Sequence, residues 1–289
     1  MLERASNTLR AAFERVRGGP SQPPDLLAAG RRQLSRATLM ALGLQRQPFN
    51  DHTPPENLYA DDAIRMQVGM LARQIADGEV LGLLQGEPGS GKTSLLIRLM
   101  SDNGDHVHFF VARGGIALTG ERIVTDMLRV LVRPAPADPA RAYRELVHRL
   151  RRLTTDGHPA ALVVDDADRI VDAELQNLVA VNDSLRAALP AGFRLLLAGQ
   201  PGLESRVADL EGDQPRAGRV VTTGVRPLRA ACVGEFLEQR LRLAGLTRSL
   251  PLDDADLSAI CAQAGGLPRD IEIAATALLE SRYGDATIV

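Results

Sequence analysis

Short, nearly continuous apolar runs alternate with helix-periodic stretches through the middle of this chain. Apolar runs at 80–84, 106–111, 160–164, 193–198 and 220–221 predict strands, and 3.6-residue spacing predicts helices over 61–77, 94–100, 119–132, 139–154 and 172–188. Strands that do not alternate with polar residues are buried on both faces, and strands separated by helices pair in parallel. The predicted class is therefore α/β, a parallel five-stranded sheet with helices on both faces. Beyond residue 225 the pattern becomes purely helical. Val233, Phe236, Leu237, Leu241 and Ala244 mark an amphipathic helix closed by Gly245. A second helix starts after Pro251, where Asp253 and Asp254 suit a helix N-terminus, and a third opens in Gly265-Gly266-Leu267-Pro268-Arg269-Asp270-Ile271. The expected domains are an arm and linker (1–41), an α/β core (42–225) and a small helical lid (226–289).

Between the first strand and the helix after it lies Gly86-Glu87-Pro88-Gly89-Ser90-Gly91-Lys92-Thr93, followed by Ser94. The stretch fits the phosphate-binding pattern G-x-x-x-x-G-K-[ST] in its required setting of strand, Gly-rich turn and helix. Backbone N–H groups of such a loop cradle phosphates, the lysine reaches the β- and γ-phosphates, and the hydroxyl of Thr93 serves Mg²⁺. Of the 34 basic residues, 33 are arginine and Lys92 is the single lysine. A chain that otherwise uses guanidinium keeps a compact ammonium on a flexible stem here, which suits a phosphate chain. Opposite the loop, the strand at 160–164 runs into Asp165 and Asp166. Ligands of parallel sheets bind at the carboxyl ends of strands, so these acids fall where chemistry is expected. Asp165 is the candidate Mg²⁺ ligand with Thr93, and Asp166 the candidate base that orients the attacking water.

Composition narrows the class. Hydrophobic residues make up 45% and charged residues 24%, as in an ordinary globular protein, while aromatics are 3% with no Trp, so the core must be Leu, Val, Ile and Ala. A formal charge of −2 gives no global pull toward nucleic acid or anionic membrane. Cys232 and Cys261 are far apart and lack metal spacing, which suits a reducing cytosol. No apolar run reaches the length of a membrane span. The expected location is cytoplasmic, with peripheral attachment to the inner membrane open through the N-terminal arm. Leu2, Ala5, Leu9, Phe13 and Val16 recur at helical spacing in an arginine-rich setting, so residues 2–17 predict a basic amphipathic helix, and the Gly/Pro run at 18–24 a linker. Phe49 and Tyr59 of an irregular lead-in are expected on the core. Arg141, Arg144, His148, Arg151 and Arg152 share one helix face, read as a solvated face. His106 and His108 alternate along a predicted strand; with no Cys or acid cluster beside them they read as ordinary strand histidines.

The lead-in Leu42-Gly43-Leu44, Pro48-Phe49, Pro54-Pro55 and Leu58-Tyr59, followed by helix, strand and phosphate loop, resembles the ATPase domain of ExeA-type (general secretion pathway A) and DamX-like proteins. Both belong to the AAA+ branch of P-loop ATPases, and the resemblance spans about residues 42–282. It implies ATP and Mg²⁺ as ligands, ATP hydrolysis, and nucleotide-driven assembly or partner binding within secretion or envelope machinery. Asp166 stands where AAA+ relatives usually carry Glu. By resemblance the Gly199-Gln200-Pro201 run puts Gln200 at the sensor 1 position; a plain strand-to-helix turn, with Pro201 as the first helical residue, is the alternative reading. The run around Arg269 resembles the sensor 2 motif, a cation on the lid that reports a γ-phosphate. Arg206, Arg216 and Arg219 lie where a neighbouring subunit's arginine finger is usual, with Arg216 and Arg219 preferred, which implies a homo-oligomer. ExeA- and DamX-like proteins typically continue into a membrane span and a peptidoglycan-binding domain, whereas this sequence ends at Val289, so a membrane link is left to the arm or a partner. Two other readings share the core: an ATP-dependent DNA-binding switch similar to the MuB/TniB transposition ATPases, and a nucleotide-stabilised scaffold with negligible turnover.

Overall fold

The computed structural model describes residues 26–28, 30–50, 53–76, 78, 81–132, 136–189, 191–210 and 220–284. The predicted arm helix at 2–17, and Arg216 and Arg219, lie outside the described residues.

Five parallel strands form one sheet: β1 (Leu81–Gln85), β2 (His108–Arg113), β3 (Ala160–Asp165), β4 (Phe193–Gly199) and β5 (Val220–Gly224), in the order β2-β3-β4-β1-β5. Each crossover carries helix. The helices are α1 (Arg36–Leu42), α2 (Asp62–Ala76), α3 (Lys92–Asn103), α4 (Gly120–Leu131), α5 (Pro139–Leu153), α6 (Asp172–Ala188), α7 (Leu203–Asp209), α8 (Ala230–Leu243), α9 (Asp254–Ala264) and α10 (Pro268–Tyr283). On one face Leu128, Leu146, Leu150, Leu175 and Leu178 of α4, α5 and α6 meet Leu162, Leu195 and Leu197 of the strands. On the other, Leu71, Leu96 and Leu99 of α2 and α3 meet Leu84, Val163 and Leu196. Coverage from both sides is why Ala160 to Val164 of β3 are all buried and why that run showed no alternation. No helix among the described residues is long and apolar enough to cross a membrane.

Two sequence expectations are corrected, and one helix is added. Strand β2 begins at His108, because the N–H groups of His106 and Val107 both bond back to the Asn103 carbonyl and keep the chain in a turn. His106 and His108 therefore do not share a strand face. Pro201 does not start a helix: α7 begins at Leu203 after Gly202, whose φ is 99°. Helix α1 was not anticipated, although its ends are marked by Ser35, whose hydroxyl accepts from Thr38 N–H, and by Gly43 at φ 71°.

Beside the sheet, α8, α9 and α10 share a separate core with residues that precede α2. Leu26, Leu34, Leu42, Leu44 and Phe49 pack with Leu237, Leu241, Ile260, Ile271 and Leu279. Tyr59 meets Phe236 edge-on at 5.6 Å. Phe49 of the lead-in is buried, and Tyr59 half-buried, against the C-terminal helices rather than the sheet. Arg46 donates from Nε and a terminal nitrogen to the Leu243 carbonyl at 2.9 and 2.7 Å, satisfying the end of α8. At the centre, Glu272 on α10 accepts from Arg240 of α8 at 3.1 Å and from Arg32 at 3.2 Å. Arg240 also donates to the Asn50 carbonyl at 2.7 Å and to Thr53 Oγ1. Arg240 and Glu272 are both buried, so removing one partner of the pair strands the charge of the other. Glu272→Ala is expected to lower unfolding free energy by about 3–5 kcal/mol, read from the urea midpoint. A loss below about 1 kcal/mol would show that the network does not hold these elements together.

Candidate nucleotide-binding site

The phosphate loop leaves the carboxyl end of β1 and is fixed to both neighbouring strands. Gly86 N–H donates to the Gly199 carbonyl at 3.2 Å, and Val225 N–H to the Gln85 carbonyl at 2.7 Å. Helix α3 follows at once, with Gly91 at its N-cap, φ 95°, and no side chain capping its first turn. The orphan N–H groups and the positive end of the helix dipole therefore point where an anion would sit. Lys92 is 8% exposed and curls back over the loop, its Nζ donating to the carbonyls of Gly86 at 2.7 Å and Glu87 at 3.0 Å. Burial pushes its pKa down, and Asp168, Asp165, Asp166 and Glu87 offset part of that shift. The Ser90 hydroxyl is buried and has no hydrogen-bond partner in the protein. A buried, unsatisfied hydroxyl inside a turn of orphan N–H groups fits a polyanion.

Across the cleft the end of β3 answers the loop. Thr93 Oγ1 donates to Asp165 Oδ2 at 2.6 Å, and the second oxygen of Asp165 accepts from Asp166 N–H at 3.0 Å. Two hard oxygen donors in contact are the set expected for Mg²⁺. Asp166 sits at φ 53°, a left-handed conformation adopted by no other described non-glycine residue. Asp is among the few residues that tolerate that region, so the backbone as well as the chemistry bears on the shorter acid. Its carboxylate accepts from Arg113 Nε at 2.9 Å. That hydrogen bond, with the Asp166 charge behind it, raises the Arg113 pKa. Arg113, at the end of β2, was not singled out from the sequence. The predicted strand stops at Val111, and only the β2–β3 register sets Arg113 opposite Asp165.

Other predicted residues fall around this centre. Gln200 follows β4 and is bonded twice to Asp168, N–H to Oδ1 and Nε2 to Oδ2, both at 3.2 Å. Arg206 is spent on structure: it bridges Asp172 at 2.5 Å and the carbonyls of Asp168 at 2.7 Å and Ile170 at 2.5 Å. Arg269, the second residue of α10, comes from the far side, with its N–H 3.3 Å from the Gly89 carbonyl. The cleft that collects Pro88 to Ser94, Asp165, Asp166, Gln200 and Arg269 has a volume of about 940 Å³, within the range of small-molecule sites. Its farther wall is supplied by Tyr59, Ile64, Leu228 and Pro268.

Residues 75–207 match the AAA domain family. The whole arrangement carries the α/β P-loop fold of AAA+ proteins, seen in Cdc6p from Pyrobaculum aerophilum at TM-score 0.54 and 20% identity over 82% of this chain. It is seen again in the Aeropyrum pernix ORC1 protein, solved in complex with DNA, at TM-score 0.53 and 19% identity over 86% of this chain. A Walker-type ATPase of Pyrococcus abyssi aligns at TM-score 0.58 and 14% identity, covering 82% of this chain and 72% of that one. The chain spans 66% and 65% of the first two proteins' own length. No curated protein matches in sequence. At these identities the likeness is one of fold.

The phosphate loop and α10 meet at Gly89. Its φ is 83°, and a Cβ there would stand 2.6 Å from the Cβ of Arg269. Gly202 has φ 99° with open space around it, so it isolates the backbone cost. Gly202→Ala is expected to cost about 1–2 kcal/mol, the penalty of the left-handed conformation, and Gly89→Ala to cost more because α10 must also shift. Urea unfolding of the two variants checks this; equal losses would mean that α10 does not rest on the loop.

Proposed function

We propose that this chain is an AAA+ ATPase that binds Mg-ATP between the phosphate loop and α10, hydrolyses it slowly, and uses the bound nucleotide to drive assembly or partner binding. The observation that carries the reading is the contact of Thr93 and Asp165 beside Lys92, which joins the start of α3 to the end of β3 as a nucleoside triphosphate site requires. Residues 86–94 hold the phosphates through backbone N–H groups, with Lys92 as the point charge. Thr93 and Asp165 would hold Mg²⁺, which would supply positive charge to neutralise the phosphates. Gln200, oriented by Asp168, faces the cleft as a polar positioning group, and Arg269 brings a cation on α10 toward the end of the phosphate chain. Assembly through Arg216 or Arg219 of a neighbouring copy belongs to the same proposal.

Asp166 is the base in this scheme, and two features slow it. The side chain is one methylene shorter than Glu, and Arg113 engages its carboxylate. A misplacement near 1 Å costs on the order of 100-fold in rate. For the cellular role we favour secretion or envelope machinery of the ExeA/DamX type, on the strength of the lead-in motif through Tyr59. A DNA-binding switch of the MuB/TniB type ranks second. The basic face formed by Arg141, Arg144, Arg151 and Arg152, all exposed, belongs to the single helix α5, a narrower stripe than duplex binding requires.

Turnover of ATP in native protein, Arg113→Ala and Asp166→Glu tests the scheme. Both substitutions are expected to raise turnover, by roughly 10-fold or more on the positioning argument, with ATP affinity held within about 2-fold for Arg113→Ala, since Arg113 contacts no phosphate-loop residue. Background turnover in all three proteins would overturn hydrolysis and leave the nucleotide-stabilised scaffold.

A further inference from the structure

Away from the nucleotide cleft, at the opposite ends of β2 and β3, three of the chain's five histidines come together. His108 opens β2. His158 lies in the turn before β3, and the N–H of His108 bonds to the Pro159 carbonyl at 2.9 Å, which fixes the strand start beside that turn. Asp156 closes the helical turn after α5, and Gly157, at φ 87°, folds the chain so that Asp156 and His158 face the same way. His158 N–H donates to Asp156 Oδ1 at 2.9 Å. The other carboxylate oxygen, Oδ2, stands 3.0 Å from His108 Nε2 and 3.5 Å from His158 Nδ1. One ligand atom from each of the three residues lies within 4.8 Å of the others. The ring of His106 packs edge-on against that of His158 at 5.7 Å.

We propose that His108, Asp156 and His158 form a transition-metal site for an ion of the Zn²⁺ class. The donor set decides the class: two imidazoles with one carboxylate suit Zn²⁺, Cu²⁺ or Ni²⁺, whereas Mg²⁺ and Ca²⁺ take oxygen ligands. Ligands about 2.0–2.2 Å from a tetrahedral Zn²⁺ stand about 3.3 Å apart, and the two observed separations from Oδ2, 3.0 and 3.5 Å, bracket that value. Asp156 is held by a backbone N–H on its non-ligating oxygen, the outer contact that orients a metal-binding carboxylate. With side-chain exposures of 24, 44 and 40% for His108, Asp156 and His158, an ion can reach all three. Water would complete the coordination. An ion here would pin the edge strand β2 to the turn that follows α5, at the end of the sheet away from the nucleotide.

Titration of nucleotide-free protein with zinc sulfate, followed calorimetrically, tests the site. Asp165, Asp166 and Asp168 in the cleft also attract divalent ions, so Asp165→Asn is titrated alongside. One equivalent of Zn²⁺ that persists in Asp165→Asn is expected, with a rise in thermal midpoint. His108→Ala, His158→Ala and Asp156→Asn should each weaken that equivalent by at least about 10-fold, the scale on which lost ligand support shows, while His148→Ala leaves it unchanged. Co²⁺ in place of Zn²⁺ should give visible d–d absorption that disappears in His108→Ala. Absence of a bound equivalent in Asp165→Asn, or one retained at equal affinity after His108→Ala with His158→Ala, would overturn the proposal.

Discussion

The hydrogen bond from Thr93 Oγ1 to Asp165 Oδ2, at 2.6 Å, is the point on which the arrangement turns. It joins two elements far apart in sequence, the start of α3 and the end of β3. They meet because the strand order β2-β3-β4-β1-β5 leaves only β4 between them. All five strands run parallel, so every carboxyl end opens toward one cleft, and each crossover helix keeps the sheet dry on both faces. The apolar strands are thus the means by which two short polar segments are held in register. Burial of β3 at every position from Ala160 to Val164 is what aims Asp165.

Around that contact the charges are arranged unevenly. Lys92 lies among four acids and bonds to loop carbonyls, so its charge is kept close to the loop. Asp166 leans away to Arg113 on the edge strand, and Gln200 is tied to Asp168. The phosphate loop is therefore packed and backbone-fixed, whereas the Asp166 carboxylate depends on a surface arginine. Under the proposed function, binding and catalysis would rest on different degrees of order, which is the physical content of a slow ATPase.

The sheet was legible because its strands are too apolar to be anything else, and the loop because its motif sat between a strand and a helix. The helices of the C-terminal set were legible from their spacing, and Asp253 does cap α9, in a reciprocal box with Asp256. What escaped was anything made by pairing distant segments. Asp156 and His158 lie some fifty residues from His108, and only the β2–β3 register at His108 and Ala160 brings them together. Arg113 was one of 33 arginines until its strand placed it beside Asp166. The burial of Phe49 among the C-terminal helices was likewise invisible in a pattern that shows which residues are inside, not what they touch.

Equilibrium binding of Mg-ATP to native protein and to Lys92→Ala tests the central claim most directly. The native chain should bind, and loss of the single ammonium should weaken binding by roughly 10- to 100-fold, the worth of charge-assisted hydrogen bonds to phosphate. Equal affinity in the two proteins, or no binding by the native chain, would contradict the account.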